Sequence, residues 1–444
     1  MRFIGKYKIL GLLGRGGMAR VYKVFDPYNN QLLSLKLLWP QPTLSSLLGQ
    51  EEITRRFLAE AKTMQALEHP NIARVIEWEQ DCELTYMVQE YLCLNLSLLL
   101  GEDREIELPS RPISPLKALQ ITHQTLLGLH SMHQAGIVHR DIKPANIMLN
   151  LQEEIRIIDL GLSKLRGEVQ NHPQGMLVGS PYYAAPEQLD NPDSADPRAD
   201  LYSVAVVLFR MITGRLPDGS SRSSAGQDGL LGRQWTAFVH KALAPDPGQR
   251  FATALEMQQA LLGLEEEWST RREEICSMPE PRQYTWDPGG RPLRKEPLFT
   301  GSTGTAFEPL LDRLLQPQGY LENDFHTLDQ GILDTATGLI WGCHVSRTPL
   351  PQDEALHFAA GQETSGLPWR LPTLEELLSL LQPRRNLEEV CAPPLEQLEG
   401  INRVWSSDQQ TKSKGWILDL EQGAAMAQDK LCRFQVIPVR DAER

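Results

Sequence analysis

The stretch IVHRDIKPANIMLN, residues 137–150, sets His139, Arg140, Asp141, Lys143 and Asn146 close together between apolar flanks. Upstream, PLKALQITHQTLLGLHSMHQAG has the periodicity of a helix ending near Gly136. Downstream, IMLNLQEEIRIIDL reads as a hairpin. The polar residues therefore fall on a loop held between packed elements, which is where chemistry concentrates. A carboxylate, a cation and a carboxamide thus stand together on one loop. The rest of the chain must supply their partners.

Working outward, the start reads as antiparallel strands: YKILGLLG, a turn with Gly14, Gly16 and Gly17, then ARVYKVFD, a DPYNN turn and QLLSLKLL. Glycines without a Cβ let backbone amides approach a phosphate chain, although a turn with no ligand reads the same way. Lys36 stands between Leu35 and Leu37 in the last of these strands, where an uncompensated ammonium is costly. The run RRFLAEAKTMQALEH, residues 55–69, puts Phe57, Ala61, Met64 and Leu67 on one helical stripe, with Glu60 on the same stripe. An inward carboxylate and a buried lysine fit an ion pair that also holds phosphate. The strand YMVQEYL, residues 86–92, then leaves this lobe as a connector.

HRDIKPAN resembles the catalytic loop of bacterial eukaryotic-like serine/threonine protein kinases. The resemblance implies a bilobal α+β fold, with a β-rich N-terminal lobe and a helical C-terminal lobe, acting on ATP with Mg²⁺. It makes Asp141 the base that accepts or orients the substrate hydroxyl, Lys143 a stabiliser of the transferring phosphoryl group and Asn146 a metal ligand, with His139 structural. Asp159-Leu160-Gly161 resembles the family's Asp-Phe-Gly, so Asp159 is implied as the second metal ligand, and Leu160 alters the packing rather than the chemistry. Lys36 and Glu60 match the family's lysine–glutamate pair. The run GRGGMARVY resembles the glycine-rich loop, with Ala19 where a third glycine is usual. ATP contacts are thereby implied for Leu13, Gly14, Arg15, Gly16, Gly17, Met18, Ala19, Arg20, Val21, Lys36, Glu90 and Leu92. Leu13 and Val21 would sandwich the adenine, and Gln89 would be the gatekeeper.

The resemblance extends along more than half of the chain. Ala185-Pro186-Glu187 matches the Ala-Pro-Glu motif, Arg250 the arginine that pairs with its glutamate, and Asp200 the aspartate that braces the catalytic loop. Ser180 stands where threonine is usual. Arg140 often meets a phosphorylated activation-loop residue in this family, yet no Ser, Thr or Tyr lies between Ser163 and Ser180. Glu168 as a fixed charge, ordering by a partner, or a purely structural Arg140 are the alternatives, and the expectation is no switch at this site. The competing function class is a pseudokinase scaffold or nucleotide-binding interaction protein. It requires the loss of a key residue, and Lys36, Glu60, Asp141, Asn146 and Asp159 are all present.

Composition is that of a globular protein of more than one domain, with 444 residues, 41% hydrophobic and 23% charged. A net charge of −13 disfavours nucleic acid and anionic lipid as partners. No apolar run approaches the roughly 20 residues of a membrane span, and the start lacks a cleavage-site pattern, so a cytoplasmic protein is expected. The six cysteines form no CxxC pair and no Cys/His cluster at metal-ligand spacing. Three regions are expected: a kinase domain at 1–265, a linker at 266–318 rich in charge, Pro and Gly, and a second domain at 319–444. In the last, GILDTATGLIWG, GLPWRLPTLEELLSLL and CRFQVIPVR resemble the Lcl-type C-terminal domain, which implies a smaller α+β, C-type-lectin-like fold and an unidentified protein or ligand partner. Thr373 and Glu376 read as a capping box. Trp341, Trp369, Trp405 and Trp416 read as core, and Asp334, Asp408 and Asp419 are considered for a cation, but no site is assigned.

Overall fold

Leucines at every second position of QLLSLKLL produce a strand in which Leu33, Leu35 and Leu37 are buried on one face and Lys36 projects from the other. The computed structural model describes residues 3–81, 84–102, 106–159, 164–165, 181–191, 195–218, 232–276, 286–287, 293–301, 305–362, 367–383 and 400–442. Leu160, Gly161, Ser163, Glu168 and Ser180 lie outside the described residues. The chain divides into two compact units, Met1–Arg272 and Glu273–Arg444.

The first unit opens with an antiparallel six-stranded sheet in the order β1-β2-β3-β4-β6-β5. Its strands are β1 (Phe3–Ile4), β2 (Tyr7–Arg15), β3 (Ala19–Asp26), β4 (Gln31–Leu38), β5 (Val75–Gln80) and β6 (Thr85–Glu90). Ile4, Tyr7, Val24, Leu33, Leu35, Leu37, Tyr86 and Val88 form its core. Helix α1 (Pro42–Leu48), which the sequence reading did not anticipate, leads through Gly49 into α2 (Gln50–Ala66). That helix starts earlier than Arg55, because Glu51 and Glu52 suit its positive N-terminal end and Ile53 extends the buried stripe.

The helical part contains α3 (Leu96–Leu100), α4 (Pro115–Gln134), α5 (Pro186–Asp190), α6 (Pro197–Thr213), α7 (Arg233–Ala242) and α8 (Ala254–Cys276). Ser114 caps α4, Asp196 caps α6, and Gly214 closes α6 at φ +70°. Helix α4 packs against α6 and against the hairpin of β9 (Ile147–Leu149) and β10 (Ile155–Ile157). Gly128 permits the latter approach, since a Cβ there would stand 2.8 Å from Ile157 Cδ1 and 3.0 Å from the Asn71 carbonyl. Strand β7 (Leu94–Asn95) pairs with β9, and β8 (Ile137–Val138) with β11 (Lys164–Leu165). The HRDIKPAN loop is thus fixed at both ends, by β8 and by β9.

The second unit is β-rich. One sheet has the order β14-β15-β16-β20, from β14 (Phe325–Leu328), β15 (Gly331–Asp334), β16 (Leu339–Gly342) and β20 (Val439–Asp441). The other joins β17 (Arg403–Gln409), β18 (Lys414–Asp419) and β19 (Ala424–Asp429), and β12 (Trp286–Asp287) pairs with β13 (Tyr320–Leu321). Among the described residues its helices are α9 (Gln352–Ala360) and α10 (Leu374–Ser379), and the capping box at Thr373 and Glu376 is formed. Trp341, Trp405 and Trp416 are fully buried. The three aspartates considered for a cation are structural anchors: Asp334 accepts from Asn323 Nδ2 and the Asp324 and Ala336 amides, and Asp419 from Arg403 Nε and the Gln422 amide. Asp408 accepts from both Arg294 Nη atoms and from the Leu298 and Leu374 amides.

Within the stretch read as linker, described residues take part in folded structure. Helix α8 runs on to Cys276, and residues from 293 onward belong to the second unit. Phe307 meets Trp416 edge-on at 5.4 Å, and Leu311 is buried in the same core. Pro, Gly and Arg made this stretch read as linker, but its docking rests on partners about a hundred positions away.

Candidate active site

Lys36 leaves β4 opposite the leucine face and ends 2.7 Å from Glu60 Oε1 and 2.7 Å from Asp159 Oδ1. Glu60 is on the buried stripe of α2, as the periodicity requires, and Asp159 follows β10. Burial alone would lower the lysine's pKa, but Asp159 and Glu60 outweigh it and hold Lys36 above its ordinary range. Burial pushes the Glu60 carboxyl up to about 7; Asp159 adds to the push and Lys36 opposes it. The lysine is therefore the fixed charge of the trio.

On the loop, Lys143 Nζ donates to Asp141 Oδ2 at 2.8 Å. Asn146 Nδ2 donates to the Asp141 carbonyl at 2.8 Å and to Asp141 Oδ2 at 3.0 Å, so the amide oxygen is the end turned away from Asp141. The His139 ring spans the loop: Nδ1 accepts from the Asp141 amide at 3.2 Å while Nε2 lies 3.2 Å from the Ile158 carbonyl, an arrangement that requires the Nε2–H tautomer. Arg140 and Asp159 both adopt left-handed backbone, each at φ +66°. For arginine that geometry is costly and must be imposed by its surroundings. Asp200 imposes it: Oδ2 accepts from the His139 amide at 2.9 Å and Oδ1 from the Arg140 amide at 2.7 Å.

Two further groups hold this brace, and the sequence reading missed both. His133, at the end of α4, brings Nε2 within 2.8 Å of Asp200 Oδ2, and Gln188 of α5 donates to the Arg140 carbonyl at 2.7 Å. Burial would raise the Asp200 carboxyl, but His133 and the backbone donors overcome it and hold the pKa low. The only sequence signal for His133 was a polar residue beside the buried Met132. Arg250 makes the expected fork, with Nη1 and Nη2 each 2.7 Å from the Glu187 oxygens. Tyr183 donates to Glu102, whose carboxylate lies 2.7 Å from Arg210 Nε, a buried cluster with no pattern in the sequence to announce it.

The glycine turn closes through a bond from the Gly16 amide to the Ala19 carbonyl at 2.8 Å, with Gly14 opposite Val21 and Arg15 opposite Arg20. Leu13 is exposed, and Met18, Ala19 and Val21 continue the hairpin into β3. Gln89 Nε2 stands 3.4 Å from Met64 Sδ at the base of α2. The Glu90 carbonyl accepts from Ser34 Oγ at 3.2 Å, and Leu92 follows half-buried. Among the described residues, no three His, Cys, Asp or Glu side chains cluster to hold a metal by themselves. The oxygens of Asn146 and Asp159 fit a hard cation that takes its remaining ligands from phosphates and water. No described helix is long and apolar enough to cross a membrane.

A family model for the protein kinase domain matches residues 7–261, and one for the Lcl C-terminal domain matches residues 330–440. The serine/threonine-protein kinase PrkC of Bacillus subtilis is 31% identical over 271 residues, covering 58% of this chain and 40% of that protein. PksC of Streptomyces coelicolor, also described as a serine/threonine-protein kinase, is 34% identical over 282 residues, covering 58% of this chain and 49% of that protein. The probable serine/threonine-protein kinase pknA2 of Bifidobacterium longum is 33% identical over 214 residues, or 48% of this chain and 27% of that one. The chain thus spans less than half the length of these relatives.

Proposed function

The chain belongs to the protein kinase domain family, and from that premise we propose that it transfers the γ-phosphate of ATP to serine or threonine hydroxyls of protein substrates. The observation that carries the reading is the assembled trio of Lys36, Glu60 and Asp159 beside a loop on which Lys143 and Asn146 both hold Asp141. The residue types and their grouping match what phosphoryl transfer asks of a protein: position the reactants and neutralise phosphate charge.

In this reading the turn from Gly14 to Ala19 covers the phosphates, and Lys36, kept charged and aimed by Glu60, meets their oxygens. Leu13 and Val21 flank the base, and the backbone of Glu90 and Leu92 meets its edge. Asp141 orients the substrate hydroxyl and takes its proton as the oxygen–phosphorus bond forms and the bond to the β-phosphate oxygen breaks. Lys143 stabilises the charge on the group in transit. Asn146 and Asp159 would hold Mg²⁺, which supplies charge neutralisation across the phosphates when bound.

The second unit is proposed as a recognition or sensing domain of C-type-lectin-like type, with a protein or small ligand as its partner. The test of the catalytic reading is phosphate transfer from labelled ATP with Mg²⁺, to the protein itself and to a basic protein substrate. Label is expected with the wild type and absent with Asp141→Asn and Lys36→Met. ATP binding without transfer by the wild type would favour a nucleotide-binding scaffold instead.

A further inference from the structure

Between the strand that carries Lys36 and the helix that carries Glu60, the sequence reads Trp39-Pro40-Gln41-Pro42. Two backbone bonds join this segment to the tip of the glycine turn: the Trp39 amide donates to the Met18 carbonyl at 2.9 Å, and the Gln41 amide to the Gly17 carbonyl at 2.8 Å. Along an extended chain, alternate amides face the same side, so residues 39 and 41 point at the turn. The residue between them is a proline, which has no amide to lose and whose ring fixes its own φ and keeps Trp39 extended. Pro42 opens α1 in its first turn, where an amide is not needed either.

Side chains reinforce the same contact. The Arg20 guanidinium, on the strand leaving the turn, lies over the Trp39 ring at 4.4 Å. A Cβ on Gly17 would stand 3.9 Å from Leu44 of α1, so that helix backs the turn closely. Helix α1 has no buried residue, and Trp39 is 51% exposed. Neither belongs to the core of the lobe.

We infer that the Trp39–Gln41 segment is a strap that fixes the height of the Gly14–Ala19 turn over the nucleotide phosphates, with Trp39 as its positioning residue. The inference rests on the proposed kinase reading for its catalytic consequence, but not for its mechanical one. Trp39→Ala should raise the KM for ATP about threefold to fivefold, the worth of an exposed cation–aromatic contact. The kcat and the KM for the protein substrate should be unmoved. Trp39→Phe, which keeps an aromatic face, should restore most of the affinity, and Pro40→Ala should show a smaller loss. In parallel, hydrogen exchange at the amides of residues 14–19 should quicken in Trp39→Ala while the melting temperature is unchanged.

Wild-type-like KM for ATP and wild-type-like exchange at the turn would overturn the strap. A phenylalanine variant as impaired as the alanine one would overturn the cation–aromatic contact with Arg20 as what holds the strap to the turn. A wild type that binds ATP without transferring phosphate would sink the kinase reading alone, and ATP affinity and exchange at the turn would still decide the strap.

Discussion

One ammonium between two carboxylates leaves the Lys36, Glu60 and Asp159 trio with a net negative charge, and burial makes Glu60 the group that bears the cost. The folded-state pKa of Glu60, about 7, lies above its ordinary 4.5, so between these values the folded protein holds more protons than the unfolded chain. By linkage, the stability contributed by this carboxyl is complete below pH 4.5 and is lost as pH rises toward 7. Glu60→Gln removes the titration. The difference in unfolding free energy between wild type and Glu60→Gln should therefore shift against the wild type from pH 4.5 to pH 7, as urea denaturation at several pH values would measure. A pH-independent difference would mean that Glu60 stays ionised throughout.

Elements explain why the site was legible and where legibility ended. The 3.6-residue stripe of α2 put Glu60 inside, the two-residue period of β4 put Lys36 opposite Leu35 and Leu37, and both patterns are local to one element. Helix α1 and the link from His133 to Asp200 escaped, because one has no buried stripe and the other joins residues on separate helices. The small helix α5 depends on a tertiary fork of the same kind. Arg250 grips Glu187 with two nitrogens and also donates to the Ala244, Pro245 and Arg198 carbonyls. Arg250→Ala removes the guanidinium's contacts to all of these acceptors and should destabilise the first unit by about 3 kcal/mol, read from its denaturant midpoint. Arg250→Lys keeps the charge but not the planar fork, so it should fall between the two.

At the scale of the whole molecule, a linker-like sequence can dock through a few specific side chains, and we propose on that ground that residues 293–318 fold with the second unit. Among the described residues, the stretch from 293 to 318 supplies three of the four donors that surround the buried Asp408 carboxylate, as well as Phe307 and Leu311 to the core. It also extends the sheet edge, where the Gln409 amide donates to the Leu298 carbonyl at 2.9 Å and the Thr300 amide to the Gln409 carbonyl at 2.9 Å. A fragment of residues 273–444 contains every one of these partners and should unfold in one cooperative transition. A fragment of residues 319–444, cut where composition alone set the border, retains among the described residues only the Leu374 amide to meet Asp408. Leaving a buried carboxylate so nearly unpaired costs several kcal/mol, and the loss of Phe307 and Leu311 adds about 3 kcal/mol or more. Since a domain of this size has a net stability of only about 5–15 kcal/mol, the shorter fragment should melt far below the longer one or fail to fold. Far-ultraviolet circular dichroism melts of the two fragments side by side decide it: equal midpoints would return residues 293–318 to the status of a linker.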